Sequence, residues 1–124
     1  MLSNHCLLVV EDDVDGAAVL VWMLKSQQAK TTVVESAEAA LEQLNGNPSG
    51  FSAIIIDLSL PQMDGFQLLV RVKGHAAHHL PTIAITAFHT PELREKALSA
   101  GFDAYVPKPL DKSALLKALD QVLH

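Results

Sequence analysis

A single cysteine, Cys6, occurs in 124 residues, so no internal disulfide can form and metal binding by a cysteine cluster is excluded. Cys6 itself reads as a small hydrophobe at the start of a strand. Basic residues are also few: nine Lys and Arg stand against fourteen Asp and Glu, for a formal net charge of -5. With no long Lys/Arg cluster, direct nucleic-acid binding, which rests on phosphate neutralisation, is not expected. No apolar run approaches the roughly 20 residues that cross a bilayer. The opening Met1-Leu2-Ser3-Asn4-His5 lacks the basic start and apolar stretch of a secretory signal. The expectation is a cytoplasmic protein without membrane contact. Internal repeats, low-complexity tracts and linkers are missing too, so residues 1–124 read as one domain, a size that buries roughly two thirds of its unfolded surface.

What the chain does have is alternation. Short apolar runs predict strands near 6–11, 31–35, 53–57, 82–86 and 103–107. Longer amphipathic segments predict helices near 14–28, 37–46, 65–75, 91–100 and 112–123. Strands and helices in strict turn imply a parallel sheet with right-handed crossovers and helices on both faces, a doubly wound α/β domain. The punctuation agrees. Asn45-Gly46-Asn47-Pro48 and Ser49-Gly50 separate the second helix from the third strand, and Gly101 sits where a helix should stop. Pro91 suits the first turn of the fourth helix, and Asp111 or Ser113 would cap the fifth.

Charged side chains follow three of the apolar runs: Asp12 and Asp13 after Leu7-Leu8-Val9-Val10, Asp57 after Ile54-Ile55-Ile56, and Lys108 after Tyr105-Val106. Carboxyl ends of parallel strands line the binding crevice of an open sheet, so these groups are expected to converge. Carboxylates brought together repel and raise one another's pKa unless neutralised, and a divalent cation is the economical neutraliser. Mg²⁺ suits an all-oxygen site and bridges readily to phosphate. Taken alone, an acidic pair after a strand reads equally well as a cap for the next helix. His75, His78 and His79 suggest a second metal cluster, but two helical His without a third ligand and an orienting shell make a poor site, so the three read as a solvated helix end and loop.

Taken together, Glu11-Asp12-Asp13, Asp57-Leu58-Ser59-Leu60-Pro61-Gln62-Met63-Asp64-Gly65, Ile85-Thr86-Ala87 and Tyr105-Val106-Pro107-Lys108-Pro109 resemble, in order and spacing, the motifs of the response-regulator receiver domain. The resemblance spans essentially the whole chain. It implies a flavodoxin-like (βα)5 fold with a five-stranded parallel sheet in the order 2-1-3-4-5. It implies that Asp57 is a phosphoacceptor, charged by a histidine kinase, a histidine phosphotransfer protein or a small donor such as acetyl phosphate. Asp13, Asp57 and the Ser59 backbone carbonyl would bind Mg²⁺, or Mn²⁺ in its place, with Asp12 acting through water. Thr86 and Lys108 would hold the phosphate oxygens. Thr86 and Tyr105 would form a switch pair that reports phosphorylation to the face made by the fourth helix, fifth strand and fifth helix, where an effector or a second copy would dock. The Lys108-Pro109 bond is cis in this family. In the turn after Asp57, Pro61 fixes φ and Gly65 is expected to permit a backbone geometry closed to other residues, holding the loop near the metal, although both also suit an ordinary turn.

The chain's own residues add detail to that reading. Ser59 and Phe88 occupy positions that tune dephosphorylation in the family, and an apolar ring at 88 cannot orient an attacking water, so slow self-dephosphorylation is expected. On the first helix Val14, Ala17, Leu20, Val21 and Leu24 share one face that should pack on the sheet, while Val19 and Trp22, with Ala18 and Met23 beside them, lie opposite as a candidate partner surface. Two rivals are weighed. An unphosphorylated interaction module of the same fold would not need Asp12, Asp13, Asp57, Thr86 and Lys108 together. A phosphatase of the haloacid-dehalogenase type needs a second Asp two residues after its nucleophile, and that position is Ser59. The protein is expected to be a switch that catalyses only its own phosphoryl transfer, standing alone or as the receiver of a hybrid kinase or longer regulator.

Overall fold

Five strands form one parallel sheet in a computed structural model that describes residues 2–47, 49–75 and 80–123. The elements are β1 (Cys6–Val10), α1 (Val14–Lys25), β2 (Lys30–Val34), α2 (Ala37–Gly46), β3 (Ala53–Asp57), α3 (Gly65–His75), β4 (Thr82–Thr86), α4 (Pro91–Ala100), β5 (Ala104–Pro107) and α5 (Lys112–Val122). The sheet order is β2-β1-β3-β4-β5, as expected for the flavodoxin-like arrangement. β3 and β4 are buried along their whole length, which is why their sequences, Ala-Ile-Ile-Ile-Asp and Thr-Ile-Ala-Ile-Thr, do not alternate.

Two apolar layers flank the sheet. Leu7, Val9, Ile55, Ile83 and Ile85 face Leu20, Leu24, Leu115 and Leu119 of α1 and α5. Leu8, Val10, Ile54 and Ile56 face Ala40, Leu68, Leu69 and Ala97 of α2, α3 and α4. Each fully buried Leu or Ile contributes about 1.5–3 kcal/mol relative to exposure, so this double sandwich is the main stabilising term.

Helix starts follow capping chemistry. The side chains of Asp13, Ser36, Thr90 and Asp111 accept hydrogen bonds from the N–H groups of Gly16, Ala39, Leu93 and Ala114. Gly101 stops α4 in a left-handed conformation, φ 117°, in which a Cβ is unfavourable.

Three expectations need correction. α1 ends at Lys25, not near residue 28, because Gln28 adopts φ 67° and a helix cannot pass through it. The buried face of α1 is Ala17, Leu20, Met23 and Leu24, while Val14 is 74% exposed. Val14 is the first residue of the helix and projects past the apolar contact with the sheet, whereas Met23 turns into it. Gly65 does not serve through an unusual φ. The left-handed residue of the β3–α3 loop is Gln62, φ 64°, and Gly65 is there because a Cβ would lie 2.8 Å from Leu58 Cα and 2.9 Å from the Asp57 carbonyl oxygen.

Candidate functional site

The carboxyl ends of β1, β3, β4 and β5 open onto one edge of the sheet. Glu11 follows β1 and its N–H still donates to Val34 of β2 (3.0 Å), which anchors the backbone there. Its side chain is buried. Asp57 closes β3 and is also buried, 5% exposed. Lys108 comes one residue after β5, with its N–H donating to the Thr86 carbonyl at 2.8 Å, so β5 delivers the lysine to the end of β4.

These three side chains meet. The Lys108 ammonium donates to Asp57 Oδ2 at 2.9 Å and to Glu11 Oε1. The Ser59 N–H donates to Asp57 Oδ1 at 2.8 Å. Asp57 therefore has a charged partner on one oxygen and a backbone dipole on the other. Carboxylate oxygens of Glu11, Asp12 and Asp57 lie within 4.8 Å of one another, with Asp12 exposed at the mouth.

The two buried acids divide one problem between them. Burial pushes the Glu11 carboxyl up to about 7, helped by Asp57 beside it and opposed by Lys108. Burial acts on Asp57 in the same direction, but the neighbouring Glu11 side chain, the Ser59 N–H and the Lys108 ammonium outweigh it and hold Asp57 below its ordinary value. Burial disfavours the Lys108 charge, yet its two carboxylate partners raise its pKa overall. The result is an ionised Asp57 and a charged Lys108, with Glu11 exchanging its proton close to neutral pH. Among the described residues Glu11 Oε2 is buried and has no hydrogen-bond partner.

Not every sequence expectation converges here. Asp12 joins the cluster and Asp13 does not. Asp13 is the N-cap of α1, its Oδ2 accepting from the Gly16 N–H at 3.0 Å. The acid that takes the inner place is Glu11, a residue of the motif for which no role is expected from the sequence. The physical reason is register: β1 stops at Val10, so residue 11 is the first past the strand and turns inward, while residue 13 already starts a helix. The signal was available in the run of three acids, of which one must cap.

Thr86 is fully buried, and its hydroxyl accepts from the Phe88 N–H at 3.0 Å. Phe88 is 70% exposed. Tyr105 is half-buried on β5, and its hydroxyl lies 2.9 Å from His89 Nδ1. The Lys108-Pro109 peptide is cis. Val19 and Trp22 are exposed on α1, and the Lys112 ammonium lies 5.7 Å from the centre of the Trp22 ring. His78, His79 and the His75 side chain lie outside the described residues. Among the described residues no helix is long and apolar enough to cross a membrane.

The family model of the response regulator receiver domain matches residues 7–120. An uncharacterized 14.6 kDa protein of Leptolyngbya boryana is 37% identical over 121 residues, which take in 97% of this chain and 91% of that protein. Histidine kinase 2 of Arabidopsis thaliana is 31% identical over 140 residues, covering 96% of this chain and 12% of the kinase. Among solved structures, the receiver domain of a sensor histidine kinase from Pseudomonas aeruginosa, crystallised with a magnesium ion coordinated in its active site cleft, has a TM-score of 0.85 at 27% identity, over 96% of this chain and 97% of that one. Strand order, the clustered carboxylates with their lysine, and a match that leaves only short ends uncovered lead to one conclusion: the chain belongs to the response regulator receiver domain family.

Proposed function

We propose that Asp57 is the phosphoacceptor of this receiver, that Glu11, Asp12 and Asp57 hold Mg²⁺ beside it, and that Lys108 and Thr86 hold the captured phosphoryl group. The observation that carries the reading is the placement of an ionised, buried Asp57 between the Lys108 ammonium and the Ser59 N–H, with two further acids within 4.8 Å. The donor set fits a hard cation: all the side-chain oxygens are carboxylate, and the buried, unpaired Glu11 Oε2 is an atom such an ion would satisfy. The Ser59 backbone carbonyl is a further oxygen of that set, and Mn²⁺ would take the same ligands. When bound, the cation neutralises charge on the phosphoryl group that would otherwise repel Asp57.

The chain's own groups do the rest. A carboxylate oxygen of Asp57 attacks phosphorus, and the O–P bond forms as the bond from phosphorus to the donor's imidazole nitrogen breaks, its electron pair staying on that nitrogen. Ser59 and Lys108 orient the attacking carboxylate, and the ammonium is placed to pair with the incoming oxygens. Each Asp57 oxygen keeps a second lone pair for attack while it accepts its hydrogen bond. Thr86, drawn toward the new phosphate, would release the Phe88 N–H, reset the loop 87–90 and free the neighbourhood of Tyr105, changing the face of α4, β5 and α5. The partners of such a switch are a histidine kinase or phosphotransfer protein upstream and an effector, or a second copy, on that face, all in the cytoplasm. Exposed Val19 and Trp22 on α1 are a surface for the upstream partner.

Receiver domains are signalling switches, and the chemistry here is the chain's own modification. Incubation with Mg²⁺ and acetyl phosphate should give one phosphoryl adduct by intact mass, and Asp57→Asn should abolish it. If neither acetyl phosphate nor a phosphorylated histidine donor modifies the wild-type chain, the interaction-module reading replaces this one.

A further inference from the structure

Among the described residues, three hydrogen bonds made by side chains hold the loop between β4 and α4, and two are local. The Thr86 hydroxyl accepts from the Phe88 N–H, and the Thr90 hydroxyl caps α4. The third leaves the loop. His89 Nδ1 lies 2.9 Å from the Tyr105 hydroxyl on β5, with the two rings 5.5 Å apart and tilted by 51°. Tyr105 pairs in register with Ala84 of β4, so its ring stands beside the strand that ends in Thr86. It also lines a cavity of about 360 Å³ with Arg94 and Leu98 of α4 and Lys117 and Gln121 of α5.

We propose that His89 is a positioning residue that holds Tyr105 in its resting place, so that the hydrogen bond between them opposes the switch until phosphorylation moves the loop. The inference rests on the phosphoacceptor reading of Asp57 and adds a residue to it. A loop pinned at Thr86 by its own backbone cannot move toward the phosphate while His89 keeps its distance to Tyr105, because residues 86 and 89 are joined by only two others. Either the His89 contact breaks or the tyrosine follows the loop. In both cases the pair converts a displacement at Thr86 into a change at the α4, β5 and α5 face, and its strength sets how far the resting equilibrium lies from the switched state. Loss of one ordinary hydrogen bond moves such an equilibrium about fivefold.

Tyr105 is the chain's only tyrosine, so incorporated 3-fluorotyrosine gives one ¹⁹F resonance that reports this ring alone. The full chain is compared with His89→Ala and His89→Asn, in Mg²⁺ alone and in Mg²⁺ with beryllofluoride as the phosphoryl mimic. In Mg²⁺ alone, His89→Ala should shift the resonance toward the position seen with beryllofluoride and speed phosphorylation by acetyl phosphate about fivefold. His89→Asn, which keeps a polar group near the Nδ1 position, should restore both to near wild type. If His89→Ala leaves the resting resonance where it is in the wild type, while beryllofluoride still moves it, the positioning role is overturned and the phosphoacceptor reading stands. If the wild type forms no adduct and its resonance ignores beryllofluoride, the underlying reading is overturned and this role with it.

Discussion

Asp57 has two duties that conflict: it must be buried enough to shed water from the reacting oxygen and ionised enough to attack. The structure reconciles them by placing an ammonium on one oxygen and a backbone N–H on the other. This arrangement makes Glu11, not Asp13, the acid whose loss should matter for the cation. Glu11→Gln is expected to weaken Mg²⁺ binding at least about tenfold by calorimetry, as changes around a metal site commonly do. Asp13→Asn should leave affinity within about a factor of two, since Asn caps a helix as well as Asp does. Equal losses in the two variants would restore Asp13 to the site. Phe88 is the second residue with a chemical consequence. Its exposed ring offers no group to orient water at an Asp57 phosphate, so Phe88→Glu is expected to speed loss of the phosphoryl group by about a hundredfold, the low end of what general-base assistance provides. The half-life of the adduct by intact mass decides this. At this scale the position of Asp57 at the end of β3 is legible from the three isoleucines before it. The placing of the acidic run is not, because Glu11, Asp12 and Asp13 are alike in chemistry and only the end of β1 decides which of them lie beside Asp57 and which caps α1.

Secondary-structure elements were more legible than side-chain roles, and for an identifiable reason. α2 and α4 are bounded by residues whose chemistry marks the boundary: Asn47 and Gly101 follow their last turns, and the Thr90-Pro91 pair opens α4. α1 runs short because its stop lies in Gln28, a residue with no marked preference for the left-handed conformation it adopts. The rotation of its buried face by one edge, taking in Met23 and leaving out Val14, is set by packing against the sheet and has no local signal. The β3–α3 loop is the element on which the site most depends. Its glycine sits where backbone of residues 57 and 58 would touch any Cβ, so Gly65→Ala must displace rigid main chain, not a mobile side chain. Overpacking of that kind costs typically about 1–3 kcal/mol. A fall of that size in urea stability, with slower phosphorylation because Ser59 and Asp57 are moved, is the expected result. An unchanged phosphorylation rate beside the stability loss would show that the loop adjusts without disturbing Asp57.

For the whole molecule, a site built from like charges makes stability depend on protons and on the cation together. Folded Glu11 titrates near 7 against an ordinary value of 4.5, so between those limits the folded chain holds a proton that the unfolded chain has released. Stability is then greatest at the low end of the window and falls as pH rises through it, because the folded state binds more protons. The size of the effect is at most about 3 kcal/mol across the window. Asp57 acts elsewhere: its lowered value contributes stability above 3.8 that is lost only on acidification through its folded pKa. Lys108, raised above 10.5, keeps its contribution through neutral pH and loses it only in alkali. Between pH 4.5 and 7 the contrast between wild type and Glu11→Gln therefore isolates one group. Without added Mg²⁺, the urea midpoint of the wild type should drop with rising pH more steeply than that of the variant. Saturating Mg²⁺ should flatten the wild-type profile near neutral pH, since a cation bound to the folded state favours the ionised carboxylate and offsets the cost of burying it. Parallel profiles for the two proteins without Mg²⁺ would mean that Glu11 is already ionised in the folded chain, with Lys108 alone balancing both acids.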